Sequence, residues 1–325
     1  MSKKKRKKQA KVLRVATVIR SMGAKCVVKA NDTNEQYNCA VRGRFRIEGI
    51  KATSPVAVGD QVLFSPPETG ELGRVHKILP RKNYILRRAA IHYHKLHILC
   101  ANIDQAILLF TIDQPVTSPG FADRFLVIAE AYHIPTIVII NKVDLLHTEE
   151  HFLQLDYYTQ LYDNIGYTVK HVSALNPDHK TKVEEILKGK TTFIGGHSGA
   201  GKSTLINLID PHLNIRTSEI SSYTNKGRHT TTHSQMHPLS IGGYIIDSPG
   251  IKEMGLTDFQ THELSHYFPE MRAVINQCKF NDCKHINEPQ CAVKAGLEDE
   301  SISPIRYQSY LSMIEDIETT NAQKY

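Results

Sequence analysis

Apolar and polar positions alternate with period two in four short runs near the start of the chain: Arg14 to Ile19, Lys25 to Ala30, Tyr37 to Val41 and Gln61 to Phe64. Such alternation predicts half-buried strands, and the turn-forming pairs Asn31-Asp32, Gly59-Asp60 and Pro66-Pro67 separate them. Residues 12–90 therefore read as a small all-β domain, an OB-fold barrel or an SH3-like barrel of the same appearance. From about His97 the pattern changes. Apolar strand-like runs at Gln105 to Phe110, Ile137 to Ile140, Thr191 to Ile194 and Tyr244 to Ile246, with Tyr167 to Val172 beside them, are interleaved with helical spacing. Phe121, Phe125, Ile128 and Tyr132 mark one helix whose aromatics are expected in the core. Thr181 to Leu187 and Thr204 to Ile209 mark two more, so residues 91–255 read as an α/β domain. Residues 256–325 are expected to be helical, around Glu263 to Gln277 and Ile305 to Thr319. The whole is a multidomain α/β chain.

Between the strand ending at Ile194 and the helix beginning near Thr204 stands Gly196-His197-Ser198-Gly199-Ala200-Gly201-Lys202-Ser203-Thr204, which fits G-x-x-x-x-G-K-[ST]. Glycines let successive backbone N–H groups turn inward around phosphate oxygens, and the helix N-terminus adds favourable partial charge. Lys202 would reach the β- and γ-phosphates, and the Ser203 hydroxyl would hold Mg²⁺.

The base is read elsewhere. Asn141-Lys142-Val143-Asp144 follows the run ending at Ile140, at the end of a strand where open α/β sheets bind ligands. Asp144 can accept from both N1–H and the exocyclic amine of guanine, which adenine cannot satisfy. Asn141 offers an amide to the other edge of the base or to neighbouring loops. Ser173-Ala174-Leu175 matches the loop whose backbone approaches guanine O6. Asp247-Ser248-Pro249-Gly250 has the D-x-x-G form that senses Mg²⁺ and the γ-phosphate, with Asp247 and Gly250 as its fixed positions. Together these point to GTP. Their order is permuted: N-K-V-D and S-A-L precede the phosphate loop, where an ordinary GTPase has them last. The short link Lys188-Gly189-Lys190 suffices to feed the phosphate-loop strand in this circularly permuted order. In the loop Asn225 to Thr232 a threonine, taken as Thr231, is expected to complete the Mg²⁺ shell.

Charge sharpens the picture at the N-terminus. Residues 1–11 carry seven lysines and arginines and no acid, residues 12–90 carry 14 basic against 6 acidic residues, and the remainder carries 19 against 27. The positive field is thus N-terminal, a disordered basic arm beside a basic barrel bearing Arg42, Arg44 and Arg46, suited to the phosphate backbone of RNA. No run of about eighteen apolar residues is present and no apolar stretch follows the basic start, so no membrane partner is implied and a cytoplasmic location is expected.

Five of the six cysteines fall into two groups. Cys26 and Cys39 read as small core residues, and the histidines at 92, 94 and 97 as strand or loop positions. Cys278, Cys283, His285 and Cys291 form a closed set of three thiolates and one imidazole, which suits structural Zn²⁺.

With these motifs the chain resembles the ribosome small-subunit-dependent GTPase A family (RsgA) of bacteria over nearly its whole length. The resemblance implies an N-terminal OB-fold, a permuted GTPase core, and a C-terminal zinc-binding domain with the four ligands above. It also implies GTP hydrolysis stimulated by the small (30S) ribosomal subunit and its rRNA during late subunit maturation, in a monomer. Ile251 occupies the position after D-x-x-G where a Ras-like enzyme places its water-orienting glutamine. The resemblance points to His229 for that role, with Arg228 as an alternative. Two other readings stand beside it: a permuted GTPase serving the large subunit, and an RNA-binding scaffold whose nucleotide site only senses GTP or GDP.

Overall fold

The computed structural model describes residues 12–41, 56–67, 72–88, 96–215, 235–247 and 259–322. The basic arm, Arg42, Arg44, Arg46, His92, His94, Arg228, His229, Thr231, Gly250 and Ile251 lie outside the described residues.

Five strands build the barrel: β1 (Arg14–Met22), β2 (Lys25–Ala30), β3 (Gln36–Val41), β4 (Gln61–Ser65) and β5 (Gly73–Ile78). β1 pairs with both β2 and β4, and β3 pairs with β5, so the order 1-2-3-5-4-1 closes the sheet on itself. The parallel β3–β5 pair and the β1–β4 closure are the OB connectivity, and they decide between the two barrels the strand pattern left open. Alternate residues fill the interior, Ala16 and Val18 from β1, Cys26 and Val28 from β2, Val62 and Phe64 from β4. Burial pushes the Cys26 thiol up to about 12 and Cys39 to about 11, as befits core cysteines facing each other across the β2–β3 ladder.

A hairpin of β6 (Tyr84–Arg88) and β7 (Leu96–Ala101) leads from the barrel to the α/β domain, and His97 lies on its second strand. Val58 of the barrel bridges to Cys100, and the buried Asp60 beneath it accepts from Arg81 at 2.6 and 2.7 Å. The α/β sheet contains β8 (Gln105–Thr111), β9 (Thr136–Asn141), β10 (Thr168–His171), β11 (Thr191–Gly196), β12 (Gln235–Pro238) and β13 (Tyr244–Asp247). Their order is β10-β9-β8-β11-β13-β12, parallel except for β12, which also meets β1 at Gln235 and Arg20. Every residue of β8 is buried, Leu108 and Phe110 on one face and Ile107 and Leu109 on the other, as a parallel strand covered on both sides requires. The covering helices are α1 (Pro119–Ala131), α2 (Glu149–Asn164), α3 (Lys180–Leu187) and α4 (Lys202–Ile209). Ser118 and Thr148 cap the first two through their hydroxyls, and Pro119 opens α1 where its missing N–H costs nothing.

The C-terminal region contains α5 (Pro269–Arg272), α6 (Ala292–Glu298) and α7 (Pro304–Ala322). The expected helix over Glu263 to Gln277 is instead a 3₁₀ turn at Leu264–Tyr267, the four-residue α5 and a second 3₁₀ turn at Ile275–Gln277. Pro269 is the physical reason: it forces Phe268 to extended angles (φ −105°, ψ 106°), which no continuous helix passes through. α7 packs on α1 around Arg306, which is 1% exposed. Its guanidinium donates to Asp123 of α1 at 2.7 Å and to both oxygens of Glu270 at 2.8 and 3.0 Å, and lies over the Phe268 ring. Burial opposes the charge, yet the two carboxylates hold the Arg306 pKa above its ordinary value. Glu130 of α1 also meets Arg272 at 3.1 Å, and Arg124 meets Asp316.

Candidate nucleotide site and metal centre

β11 runs through the middle of the sheet, between β8 and β13, and delivers Gly196 to the loop that ends at the first residue of α4. Gly199 and Gly201 hold φ of +84° and +94°, the left-handed region that glycine adopts without strain. At Gly201 space is lacking as well, since a Cβ there would sit 2.5 Å from the Asn141 amide nitrogen. The Lys202 ammonium donates to the carbonyls of Gly196 and His197, both at 2.8 Å, and so lies across the loop. Ser203 and Thr204 follow in the first turn of α4, half-buried, with the helix N-terminus facing the same space. The loop amides, the lysine and the Ser203 hydroxyl thus form one cationic, donor-rich cradle that fits a polyphosphate with its Mg²⁺.

Asn141 ends β9 and is buried. Its amide nitrogen donates to the Ala200 carbonyl at 2.8 Å, and its oxygen accepts from the Ala174 N–H at 3.2 Å. One side chain therefore joins the phosphate loop to the Ser173-Ala174 loop. Lys142 follows in the left-handed region (φ 62°) and donates to the Gln114 carbonyl. Val143 starts a 3₁₀ turn on which Asp144 is exposed, a carboxylate at the mouth of the site. Ser173 is buried; its N–H donates to His179 at 2.8 Å and its hydroxyl accepts from the Leu175 N–H at 3.3 Å. Asp247 ends β13, in register with Ile194 of the phosphate-loop strand. Three motifs and the first residue of D-x-x-G thus lie at the C-terminal ends of parallel strands of one sheet.

Sequence reasoning missed three contributors. His179 anchors the Ser173 backbone. The segment Gln114–Thr117 is latched by Thr111, whose N–H donates to the Thr117 hydroxyl at 3.0 Å and whose hydroxyl donates to the Pro115 carbonyl at 2.5 Å. Phe121, partly buried against the core as expected, also stacks on His197 of the phosphate loop with ring centroids 4.0 Å apart. No motif marks any of them; only the fold brings them to the site.

In the C-terminal region the donor atoms of Cys278, Cys283, His285 and Cys291 all lie within 4.8 Å of one another. His285 Nδ1 is 3.7 Å from Cys278 Sγ and 3.3 Å from Cys291 Sγ. A tetrahedron with ordinary Zn–S and Zn–N bonds has an S···N edge of about 3.5 Å, so the donor set fits a four-coordinate ion of that kind. The knuckle around it is held from outside. The Glu288 carboxylate accepts from the backbone N–H groups of Lys284, Ile286 and Asn287 at 2.8, 2.8 and 3.0 Å. From α7, Tyr307 and Tyr310 donate to the carbonyls of His285 and Lys284 at 2.6 and 2.8 Å. Removing the metal with a strong chelator is expected to release this knuckle and the two tyrosines. Because the chain has no tryptophan, tyrosine fluorescence and near-ultraviolet circular dichroism report the change directly. Unchanged spectra after verified metal removal would show that the cluster does not depend on an ion.

Comparison with known proteins agrees with this geometry. Residues 16–74 match the RsgA N-terminal domain and residues 78–257 match the RsgA GTPase domain. The chain is 46% identical over 301 residues to the small ribosomal subunit biogenesis GTPase RsgA of Bacteroides fragilis (strain ATCC 25285), covering 93% of this chain and 96% of that protein. Among solved structures it resembles YjeQ from Thermotoga maritima, with a TM-score of 0.75 at 33% identity over 94% of this chain and 99% of that one. It also resembles YloQ, a circularly permuted GTPase, with a TM-score of 0.72 at 30% identity over 97% and 98% of the two chains. A phosphate loop preceded in the chain by the N-K-V-D strand, a closed barrel ahead of both and a Cys₃His cluster behind them are the features that accompany these matches, and the chain belongs to the RsgA GTPase family.

Proposed function

We propose that this protein hydrolyses GTP to GDP and phosphate when stimulated by the small ribosomal subunit, and that it acts in the late maturation of that subunit. The convergence of the N-K-V-D strand, the S-A-L loop, the phosphate loop and the Asp247 strand on one end of the sheet, tied together by Asn141, is the observation that carries the reading. Asp144 reads the guanine edge, with Asn141, Lys142, Val143, Ser173 and Ala174 shaping the base pocket. Residues Gly196 to Thr204 bind the phosphates; Ser203 and Thr231 are the Mg²⁺ ligands, and Asp247 and Gly250 sense the γ-phosphate. Mg²⁺ held by Ser203 and Thr231 would supply charge neutralisation to the phosphates. His229 orients the attacking water, since Ile251 cannot. Zn²⁺ is the ion held by Cys278, Cys283, His285 and Cys291. The domains run over residues 12–90, 91–255 and 256–325 behind the basic arm of residues 1–11, and the barrel and arm contact rRNA. The protein works in the cytoplasm as a monomer with no membrane partner.

The test is GTP turnover by the purified protein alone, with small subunits and with large subunits. Low basal turnover, raised at least about tenfold by small subunits only, is expected from a site completed by its partner. Stimulation by large subunits instead would reassign the partner. Tight guanine-nucleotide binding with no stimulation by either would favour the scaffold reading. In the same assay His229→Ala should bind GTP normally yet lose the stimulated turnover by about 10²-fold, the low end of a positioned proton-transfer group.

A further inference from the structure

Two elements that belong to none of the nucleotide motifs lie against the phosphate loop. The Pro115 ring lies 3.4 Å from where a Cβ would stand on Gly199. Phe121, six residues on, stacks on the His197 imidazole with an interplanar angle of 28°. Phe121 is in the first turn of α1, and its N–H donates to the Ser118 hydroxyl at 3.4 Å, so the ring is carried by a capped helix end rather than a loose loop. That helix is itself fixed from behind, two residues further, by Asp123 on Arg306. His197 is the residue whose carbonyl, with that of Gly196, receives the Lys202 ammonium. The stack thus holds one of the two carbonyls that place the lysine.

We propose that Phe121 is a positioning residue for the phosphate loop: by clamping His197 against α1 it holds the loop's first turn, and through it Lys202, in the arrangement that receives the β-phosphate. The inference rests on the reading of this loop as a guanine-nucleotide site. A flat contact between two rings suits the purpose because it fixes the plane of the imidazole without drawing on the loop amides that meet phosphate.

The experiment measures GDP and GMP affinities by fluorescence titration for the wild type, Phe121→Leu, Phe121→Tyr and His197→Ala, together with amide hydrogen exchange over residues 196–202. Phe121→Leu and His197→Ala are expected to weaken GDP by about tenfold and GMP by less than about threefold, because GMP lacks the β-phosphate, with faster exchange in the loop. An aromatic pair at the strong end of its usual range accounts for a change of about tenfold. Phe121→Tyr keeps a stack and should remain within about twofold of the wild type. A folded Phe121→Leu with the wild-type GDP-to-GMP ratio overturns the proposal. If that variant does not fold, an unchanged ratio in His197→Ala overturns it equally, and a lowered ratio there supports it. Equal losses for both nucleotides also overturn it, because they report general damage rather than placement of the loop. Wild-type protein that binds neither nucleotide would instead sink the nucleotide reading on which the inference rests.

Discussion

Arg306→Ala lowers the stability of the folded chain by about 3–5 kcal/mol, the usual result of removing one partner from a buried ionic group. Arg306 is 1% exposed and is the cation between Asp123 and Glu270, which are 0% and 6% exposed at their side chains. Truncation leaves two buried carboxylates without their shared cation. The midpoint of urea unfolding, followed by tyrosine fluorescence, measures the loss. The contrasting variant separates ion pairing from packing: replacing Arg306 with Met, Asp123 with Leu and Glu270 with Leu together removes every charge at once, and should recover most of the stability. A triple variant as unstable as Arg306→Ala would show that hydrogen-bond geometry, rather than the unpaired charge, holds α7 to α1.

Lys202→Ala abolishes hydrolysis, with a fall of about 10²–10³-fold or more in stimulated turnover, the range for losing one preorganised group that meets developing charge. The ammonium is held by the Gly196 and His197 carbonyls at 2.8 Å each, so the loop places the cation and the cation in turn closes the loop. Its loss removes charge from the γ-phosphate and leaves two carbonyls without their donor. Lys202→Arg should not restore activity, because a planar fork cannot take the place of a compact ammonium between two carbonyls. Single-turnover hydrolysis in the presence of small subunits checks both variants; activity above about a tenth of wild type in Lys202→Ala would mean that the loop amides carry the phosphate by themselves.

The sequence disclosed the nucleotide motifs because each needs particular atoms at fixed spacing. Glycines at 199 and 201, a lysine at 202 and a carboxylate at 144 leave a signature that survives without coordinates. The Cys₃His cluster was legible for the same reason. Four barrel strands were legible from alternation, but β5 was not: in Gly73–Ile78 only Gly73 and Val75 are fully buried, too few to show a period. The β6–β7 hairpin escaped because its pairing residues are far apart in sequence and carry no turn signal between them. Pro269 was visible, yet its effect on Phe268 was not weighed against the apolar spacing around it. Phe121 and His179 illustrate the deeper limit. A phenylalanine at helical spacing looks the same whether it enters a core or meets a loop, and only the sheet order decides which.

The bond between Asp123 and Arg306 spans 183 residues of sequence. Contacts so distant close late in folding, because a long stretch of chain must be ordered before they reward its ordering. During synthesis the barrel, the whole α/β sheet and all four metal-ligating residues are made before the arginine that neutralises Asp123. The first helix of the nucleotide domain therefore carries an unpaired acid through all of that interval. It acquires its final seat only after the phosphate loop it touches and the Cys₃His knuckle against α7 have both been translated.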